Sequence, residues 1–332
     1  MIKTTIFAAS AMTLAMAASA LAQPPAPGPA VKGATSLTPP ADAPPEHTAA
    51  PGPFAVSVES DPSLPTHTLY RPTDLKPFTG SKRLPIIAWG NGACSNAGQL
   101  FSTFLTQIAS HGYFIVVSGP KDAPLPAFAG ARARQAAAGA RIAKAGDPPQ
   151  PMTKDDDMRK AIDWALKENA RKGGAYFGKL DPSKIAVMGQ SCGGLQAIAN
   201  AGDPRLKTVM VWNSGVFPPA SAPRGISGAT KESLAKFHTP VAYIMGGPAD
   251  AAYVNTLDDV SRIRKVPVFQ GWINVGHGGT YDHPGGGWFG EVAVHWLDWR
   301  LKGDRAAGKW FEGADCILCK NPIWHIDKKN MK

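Results

Sequence analysis

The sequence predicts a single α/β domain in which a mainly parallel β-sheet is covered by helices on both faces. Short apolar runs alternate with helical patterns from about residue 54 to residue 312, and strands that are separated by helices form parallel sheets buried on both faces. The chain of 332 residues is 44% hydrophobic and 18% charged. This composition suits one large core and excludes coiled coils, collagen-like fibres and polytopic membrane proteins.

Residues 1–22 have the pattern of a secretory signal peptide. Lys3 supplies a positive charge, residues 6–21 are mostly apolar or small, and Ala20-Leu21-Ala22 matches the A-x-A cleavage pattern. We expect cleavage after this tripeptide and export to the periplasm or the extracellular space. A membrane anchor is the weaker alternative because polar residues interrupt the apolar run, so we expect no stable membrane insertion after cleavage.

Residues 23–53 contain ten prolines and almost no large apolar side chains. Such a segment buries too little apolar surface to offset the entropy that it loses on ordering. We therefore expect a disordered, Pro-rich linker that contacts little of the domain.

The chain carries a formal net charge of +10, from 35 basic and 25 acidic residues. A basic surface favours anionic partners through long-range steering. However, the sequence has no run of five Lys or Arg residues and no nucleic-acid-binding motif. We interpret the charge as that of an ordinary extracytoplasmic protein and expect no nucleic-acid partner.

The domain shows distinct strand and helix patterns. The predicted strands are 84–89, 113–117, 184–188, 208–212, 241–245 and 266–273, and the predicted helices are 100–110, 154–172 and 291–301. Three aspartates in the first turn and Gly173-Gly174 at the end delimit the helix at 154–172.

Residues 124–151 interrupt this alternation, because five prolines flank an Ala/Arg-rich stretch. We expect a surface insertion that contains a short basic helix. A tolerated loop is favoured over a lid or a binding surface.

The sequence Gly189-Gln190-Ser191-Cys192-Gly193 follows a predicted strand and begins a helical stretch. A G-x-S-x-G motif in this context is typical of a sharp turn that exposes the serine hydroxyl above the edge of the sheet. Since a free serine hydroxyl is a weak nucleophile at neutral pH, such a site needs a base. A purely structural Gly-rich turn is the alternative interpretation.

An acid and a base follow Ser191, each in the loop after a later strand. Asp250 follows the strand at 241–245, and His277 follows the strand at 266–273. Because the carboxyl ends of parallel strands meet at one edge of a sheet, we expect His277 to act as the base and Asp250 to orient it. The weaker alternatives are His283 and His295 for the base, and Asp258 and Asp259 for the acid.

An oxyanion hole is the remaining requirement for this chemistry. We expect one donor to be the backbone N–H of Cys192, directly after the serine, and the other to come from the loop at residues 89–93. No metal or other cofactor is expected, because the sequence has no H-E-x-x-H motif and Cys316-x-x-Cys319 lacks a second ligand pair.

Two further segments resemble secreted α/β-hydrolases: Ile86–Gly92, a strand followed by a Gly-rich loop, and Ala109–Tyr113. Together with the serine motif and the acid and base that follow it, the resemblance covers about residues 54–312. The chain looks like the dienelactone hydrolase, cutinase-like and polyester-hydrolase region of the α/β-hydrolase superfamily.

This resemblance implies Ser191 as nucleophile, Asp250 as acid, His277 as base and Ala93 as the first oxyanion donor. The chain departs from the family pattern at Asn91, where many relatives have His, and in its C-terminal cysteine pair, within a tail at residues 313–332.

We therefore expect a secreted serine esterase that forms an acyl-enzyme with a small-molecule or polymeric ester. A peptidase or amidase with the same groups, or a non-catalytic binding protein on this scaffold, are the alternatives. The absence of an additional cap or propeller domain favours esters, and the presence of all three polar residues disfavours binding alone. Candidate substrate contacts are Trp212, Tyr253 and Trp288.

The four cysteines suggest two disulfides in an exported protein. Cys316 and Cys319 are close in sequence, which leaves Cys94 and Cys192. Cys94 and Cys192 would form a disulfide if the loop after residue 89 lies against the turn that contains Ser191. Two free thiols filling space beside this turn, or a crossed pairing, are the alternatives.

Overall fold

The computed structural model describes Met1 and residues 37–137, 140–223 and 225–331. The predicted signal peptide after Met1 and the predicted linker up to residue 36 lie outside these ranges. None of the helices in the described ranges is both long and apolar enough to cross a bilayer.

Within the described residues, nine strands form one open β-sheet. They are β1 Val56–Glu59, β2 His67–Pro72, β3 Leu84–Gly90, β4 Phe114–Ser118, β5 Leu180–Gln190, β6 Leu206–Trp212, β7 Val241–Met245, β8 Val268–Trp272 and β9 His325–Lys329. The order across the sheet is β1-β2-β4-β3-β5-β6-β7-β8-β9. Strands β3 to β8 are parallel, whereas β2 is antiparallel to both its neighbours and β9 is antiparallel to β8. The predicted fold class is confirmed.

Helices cover both faces of this sheet. In the described part of the chain the α-helices are α1 Ser102–Ser110, α2 Ala131–Ala136, α3 Asp155–Ala170, α4 Cys192–Ala199, α5 Tyr253–Arg262, α6 Gly287–Leu297, α7 Arg305–Gly308 and α8 Ile317–Lys320. Apolar residues of α1 and α6 belong to one core layer, and those of α3 and α4 belong to the other.

The side chains of β3 show how one strand serves both layers. Ile87 and Trp89 pack with α1 and α6, and Ile86 and Ala88 pack with α3 and α4. Successive side chains of a strand point to opposite faces, so a strand that is covered on both faces is apolar throughout. This is why β3, β4 and β7 are continuous apolar runs that the sequence predicts well.

The C-terminal segment is part of the domain, which corrects the predicted boundary at residue 312. Strand β9 pairs along β8 from Trp272–His325 to Val268–Lys329, and Leu318 in α8 is fully buried. The sequence of β9, His-Ile-Asp-Lys-Lys, lacks apolar alternation because one side of an edge strand faces solvent, where charged residues prevent further pairing.

The described end of the Pro-rich segment, residues 37–53, also contacts the domain, contrary to the expectation of a linker with few contacts. Ala49 is buried and its N–H donates to Pro284 O at 3.2 Å. The ring of His47 stacks on Trp288 at 3.8 Å. These contacts are made by isolated residues and not by a periodic apolar face. The amino-acid composition of the segment therefore does not predict them.

The insertion at residues 124–151 contains the short basic helix α2. Its base is closed by a bridge in which Leu125 N–H donates to Arg141 O and Ala143 N–H donates to Leu125 O, both at 2.8 Å. Leu125 itself is fully buried. The insertion is therefore anchored to the core at its base and also through Ala129, Ala133 and Ala137, which are buried.

Candidate active site

Ser191 lies in the turn between β5 and α4, at the carboxyl edge of the sheet. Its backbone has φ +52° and ψ −115°. Residues with a Cβ rarely adopt this conformation, so the turn is strained. The N–H of Ser191 donates to Trp212 O at 2.9 Å, which ties the turn to the end of β6. The turn that the G-x-S-x-G motif predicts is present.

The two glycines of this motif allow the turn to close. A Cβ on Gly193 would lie 1.9 Å from Gly90 O, and a Cβ on Gly189 would lie 2.3 Å from the carbonyl of Gly193. Because real Cβ atoms never approach so closely, a larger residue at either position would push α4 away from β3 and β5.

The structure brings together the three polar residues that the sequence predicts. The Ser191 hydroxyl lies 3.1 Å from His277 Nε2, and His277 Nδ1 lies 2.7 Å from Asp250 Oδ1. With Nδ1 protonated, the imidazole donates to the carboxylate and leaves Nε2 free to accept the serine proton. The hydrogen bonds thus form one continuous chain from a surface hydroxyl to a buried carboxylate.

Asp250 is held as an ion at the inner end of this chain. Its side chain is fully buried, and each of its oxygens accepts two hydrogen bonds from described residues: Oδ1 from His277 and Ala252 N, Oδ2 from Gly246 N and Asn213. Burial alone raises a carboxyl pKa, but the hydrogen bond and charge of His277 and the backbone donors outweigh it and lower the pKa of Asp250.

Asn213 is a site residue that sequence reasoning missed. Its Nδ2 donates to Asp250 Oδ2 at 2.7 Å, and its Oδ1 accepts a hydrogen bond from the Tyr281 hydroxyl. All three side chains are buried. The available signal was its position directly after β6, at the same edge of the sheet as the strand ends that carry the serine and the acid.

Three of the four weaker alternatives for the acid and the base are engaged elsewhere. Asp259 forms an ion pair with Lys231 at 2.6 Å, and Asp258 pairs with Arg262 at 2.9 Å on the surface of α5. His295 lies within α6, as expected, and stacks on Trp310 at 4.0 Å.

The loop after β3, residues 91–96, meets the first turn of α4. Gly193 N–H donates to Asn91 O at 3.0 Å. Cys192 is the first residue of α4 and Ala93 has φ +54° within a short 3-10 turn. N–H groups in the first turn of a helix have no acceptor within that helix, so the backbone N–H of Cys192 can donate to an external acceptor.

Asn91 fixes this β3 loop from inside. It is fully buried, its Nδ2 donates to the carbonyls of Ser95, Ala97 and Ser118 at 2.9–3.1 Å, and its Oδ1 accepts from Trp89 Nε1 at 3.0 Å. Asn91 is thus a structural support of this loop.

The four cysteines form two pairs at disulfide distance, with Cα separations of 5.1 Å for Cys94–Cys192 and 4.9 Å for Cys316–Cys319. The pairing is the one that the sequence favoured, rather than free thiols or a crossed arrangement. Disulfides are typical of proteins outside the reducing cytosol.

The aromatic residues predicted as substrate contacts are not all placed for that role. Trp212 is fully buried and packs against Phe104 and Phe289, so the prediction for Trp212 is wrong. Its side chain belongs to the core layer that α1 and α6 form beneath the site. Trp288 is covered by His47, and Tyr253 packs edge-on against Trp272 at 5.7 Å.

Among residues 37–137, 140–223 and 225–331, no group of three or more His, Cys, Asp or Glu side chains is placed to hold a metal ion. Neither the protein-family models nor the curated proteins compared with this chain give a match.

Proposed function

We propose that this protein is a serine esterase of the α/β-hydrolase superfamily that cleaves carboxylic esters through an acyl-enzyme. The observation that carries the proposal is the hydrogen-bond chain Ser191–His277–Asp250, with distances of 3.1 and 2.7 Å. This hydrogen-bond chain begins at the strained turn that exposes Ser191, close to the backbone N–H groups of Ala93 and Cys192. A purely structural turn would need neither the hydrogen-bond chain nor these N–H groups.

In the first step, Ser191 Oγ attacks the ester carbonyl carbon while its proton moves to His277 Nε2. The carbonyl π electrons move onto the carbonyl oxygen, which becomes an oxyanion. Backbone N–H groups of Ala93 and Cys192 donate to this oxyanion, and the N-terminus of α4 adds a favourable dipole. The ionised Asp250 stabilises the imidazolium that forms.

In the second step, the tetrahedral intermediate collapses and the bond to the leaving oxygen breaks. His277 gives its proton to that oxygen, so the product leaves as an alcohol and the acyl group stays on Ser191. Water then attacks the acyl-enzyme, His277 again takes and returns the proton, and the carboxylic acid departs. Atoms and charge balance with water as the only co-substrate.

Export is also part of the proposal. The two cysteine pairs at disulfide distance support an oxidising compartment, and the N-terminal sequence has the pattern of a secretory signal. We therefore propose a periplasmic or extracellular enzyme.

Turnover of p-nitrophenyl acetate by single variants tests the proposed function. Ser191→Ala and His277→Ala should each reduce kcat by several orders of magnitude, because the two residues act as a unit. His283→Ala is the matched control, since this half-buried histidine lies in the same loop region, and it should retain most of the activity. An inactive His283 variant beside an active His277 variant would overturn the proposed base.

A further inference from the structure

A cavity of about 290 Å³ lies between the β3 loop and the insertion. Ala93 and Cys94 form one side of it, and Pro126, Phe128, Ala143 and Met152 are prominent on the other. Ala93, one of the two residues whose N–H is a proposed oxyanion donor, is thus part of the cavity wall. The volume is near the lower end of the range for small-ligand pockets, about 300–1,000 Å³.

Two large apolar side chains of this wall remain exposed. Phe128 keeps 48% and Met152 keeps 47% of its surface accessible. A single exposed apolar side chain is ordinary, but two that line the same concave, mainly apolar surface are typical of a binding site.

The insertion holds Phe128 in an ordered position. The closed base described above fixes the chain at Leu125 and Ala143, and Arg134 Nε donates to Ala129 O at 2.8 Å across the turn that carries Phe128. The phenyl ring of Phe128 is therefore carried by a loop that hydrogen bonds hold at its base and across its turn.

The segment that carries Met152 is held by the β3 loop and by α4. The next residue, Thr153, donates its N–H to Cys94 O at 2.9 Å, and Gln196 of α4 donates to Thr153 O at 3.0 Å. The wall carrying Met152 is thus hydrogen-bonded both to the β3 loop and to the helix that follows Ser191. The cavity wall is thus tied to the two segments that flank Ser191 and Ala93.

We propose that this cavity binds the apolar acyl group of the ester, an inference that rests on the proposed function. The carbonyl oxygen must face the N–H of Ala93, and the leaving oxygen must face His277 to receive its proton. The acyl group is the remaining substituent. The cavity wall contains Ala93 but neither Ser191 nor His277. The cavity therefore lies next to the oxyanion donor on the side away from the base, where the acyl group fits and the leaving group does not.

The substrate class follows from the dimensions and the polarity of the cavity. It accommodates one ring or a medium-length alkyl chain, with no charged side chain in its wall. The enzyme therefore takes esters of aromatic or medium-chain carboxylic acids in preference to acetates. The insertion is a binding element, which replaces the expectation of a merely tolerated loop.

Two ester series test this inference with purified protein. The first keeps the p-nitrophenyl leaving group and varies the acyl group among acetate, butyrate, hexanoate and benzoate. The second keeps an acetyl group and varies the alcohol. The variants are Phe128→Ala, which enlarges the cavity, and Ala127→Trp, an exposed lining position where a larger side chain fills it. Phe177→Ala is the matched control, because Phe177 is equally exposed (46%) and lies outside the cavity wall.

The wild type should prefer hexanoate or benzoate to acetate in kcat/KM. Phe128→Ala and Ala127→Trp should each reduce this preference by about tenfold, the effect expected for a poorly filled or blocked apolar pocket. The far-UV circular dichroism and the melting temperature of both variants should match those of the wild type, which shows that they fold. Phe177→Ala should leave both series unchanged.

The inference is overturned if the wild type shows no acyl preference, or if both cavity variants retain it. It is equally overturned if the variants change the alcohol series and leave the acyl series unchanged, since the cavity would then bind the leaving group. Failure of the proposed function is a different result: Ser191→Ala would hydrolyse acetate as fast as the wild type.

Discussion

The Cα atoms of Cys94 and Cys192 lie 5.1 Å apart, and the two cysteines directly follow Ala93 and Ser191. A covalent link at this place joins the two segments whose backbone N–H groups are the proposed oxyanion donors. The relative position of the donors is thereby fixed before substrate arrives. Donors that are already in position stabilise the developing negative charge without having to reorganise. This preorganisation is the main source of electrostatic rate enhancement.

Replacing both Cys94 and Cys192 by Ser should therefore lower kcat more than it raises KM, because the donors act mainly in the transition state. Steady-state kinetics on a p-nitrophenyl ester measure the two constants. The Cys316→Ser/Cys319→Ser double variant is the control and should keep kcat. Peptide mapping without reduction should recover Cys94 and Cys192 in one linked species; an alkylated Cys192 peptide recovered alone would contradict the link.

Asn213 should act as a positioning residue through its hydrogen bond to Asp250. Asn213→Ala removes a donor to a buried carboxylate, and hydrogen bonds to charged groups contribute about 1.5–3 kcal/mol. We expect kcat to fall by roughly tenfold or more with little change in KM. Tyr281→Phe, which removes only the hydroxyl that orients Asn213, should cause a smaller loss.

A purely structural role for Asn213 would give a different pattern. The melting temperature of Asn213→Ala would fall while kcat, measured well below that temperature, stayed at the wild-type value. That result would contradict the positioning role.

His67 should make a contribution to stability that is lost as the pH falls from about 7.5 to about 5.5. His67 is fully buried, and burial lowers its pKa although its Nε2 donates to Asp157 O at 3.0 Å. An unfolded histidine takes up a proton below about pH 6.5. In this window His67 binds more protons in the unfolded chain than in the folded chain, so its contribution to the free energy of unfolding drops as the pH falls.

His67→Gln retains a donor for Asp157 O but cannot titrate. The pH dependence of its melting temperature should therefore be shallower than that of the wild type between about pH 7.5 and about pH 5.5. His238→Gln, at an exposed position, should leave the slope unchanged. Equal slopes for the wild type and His67→Gln would show that His67 does not contribute.

The segment at residues 37–53 should contribute to stability. A chain that begins at Pro51 loses the hydrogen bond between Ala49 and Pro284 and the stacking of His47 on Trp288. We expect its melting temperature to be lower by several degrees, and that of His47→Ala to be intermediate. An unchanged melting temperature for the shortened chain would mean that these contacts are not stabilising in solution.

The positions of Ser191, Asp250 and His277 could be predicted because each depends on local sequence and one topological rule. Each residue follows an apolar run that forms a buried strand, namely β5, β7 and β8. The topology of a parallel sheet then brings the ends of these strands to one edge. No long-range packing information was needed.

The remaining features depend on contacts between segments that are distant in the sequence. Strand β9 is polar because it lies at an edge, and the contacts of residues 37–53 are made by isolated side chains and backbone groups. Trp212 is an aromatic residue of the kind that often contacts substrates. Only its packing against α1 and α6 beneath the site shows that it belongs to the core. Asn213 gains its role from Asp250, 37 residues further along the chain.

Covalent labelling with a fluorophosphonate tests the proposed nucleophile most directly. The probe reacts with an activated serine, so intact mass and peptide analysis of the wild-type protein should find one adduct on the peptide that contains Ser191. His277→Ala should label far more slowly, because the hydroxyl loses its base, and Ser191→Ala should remain unlabelled. An adduct on any other residue, or equal labelling of the wild type and Ser191→Ala, would contradict a nucleophilic Ser191.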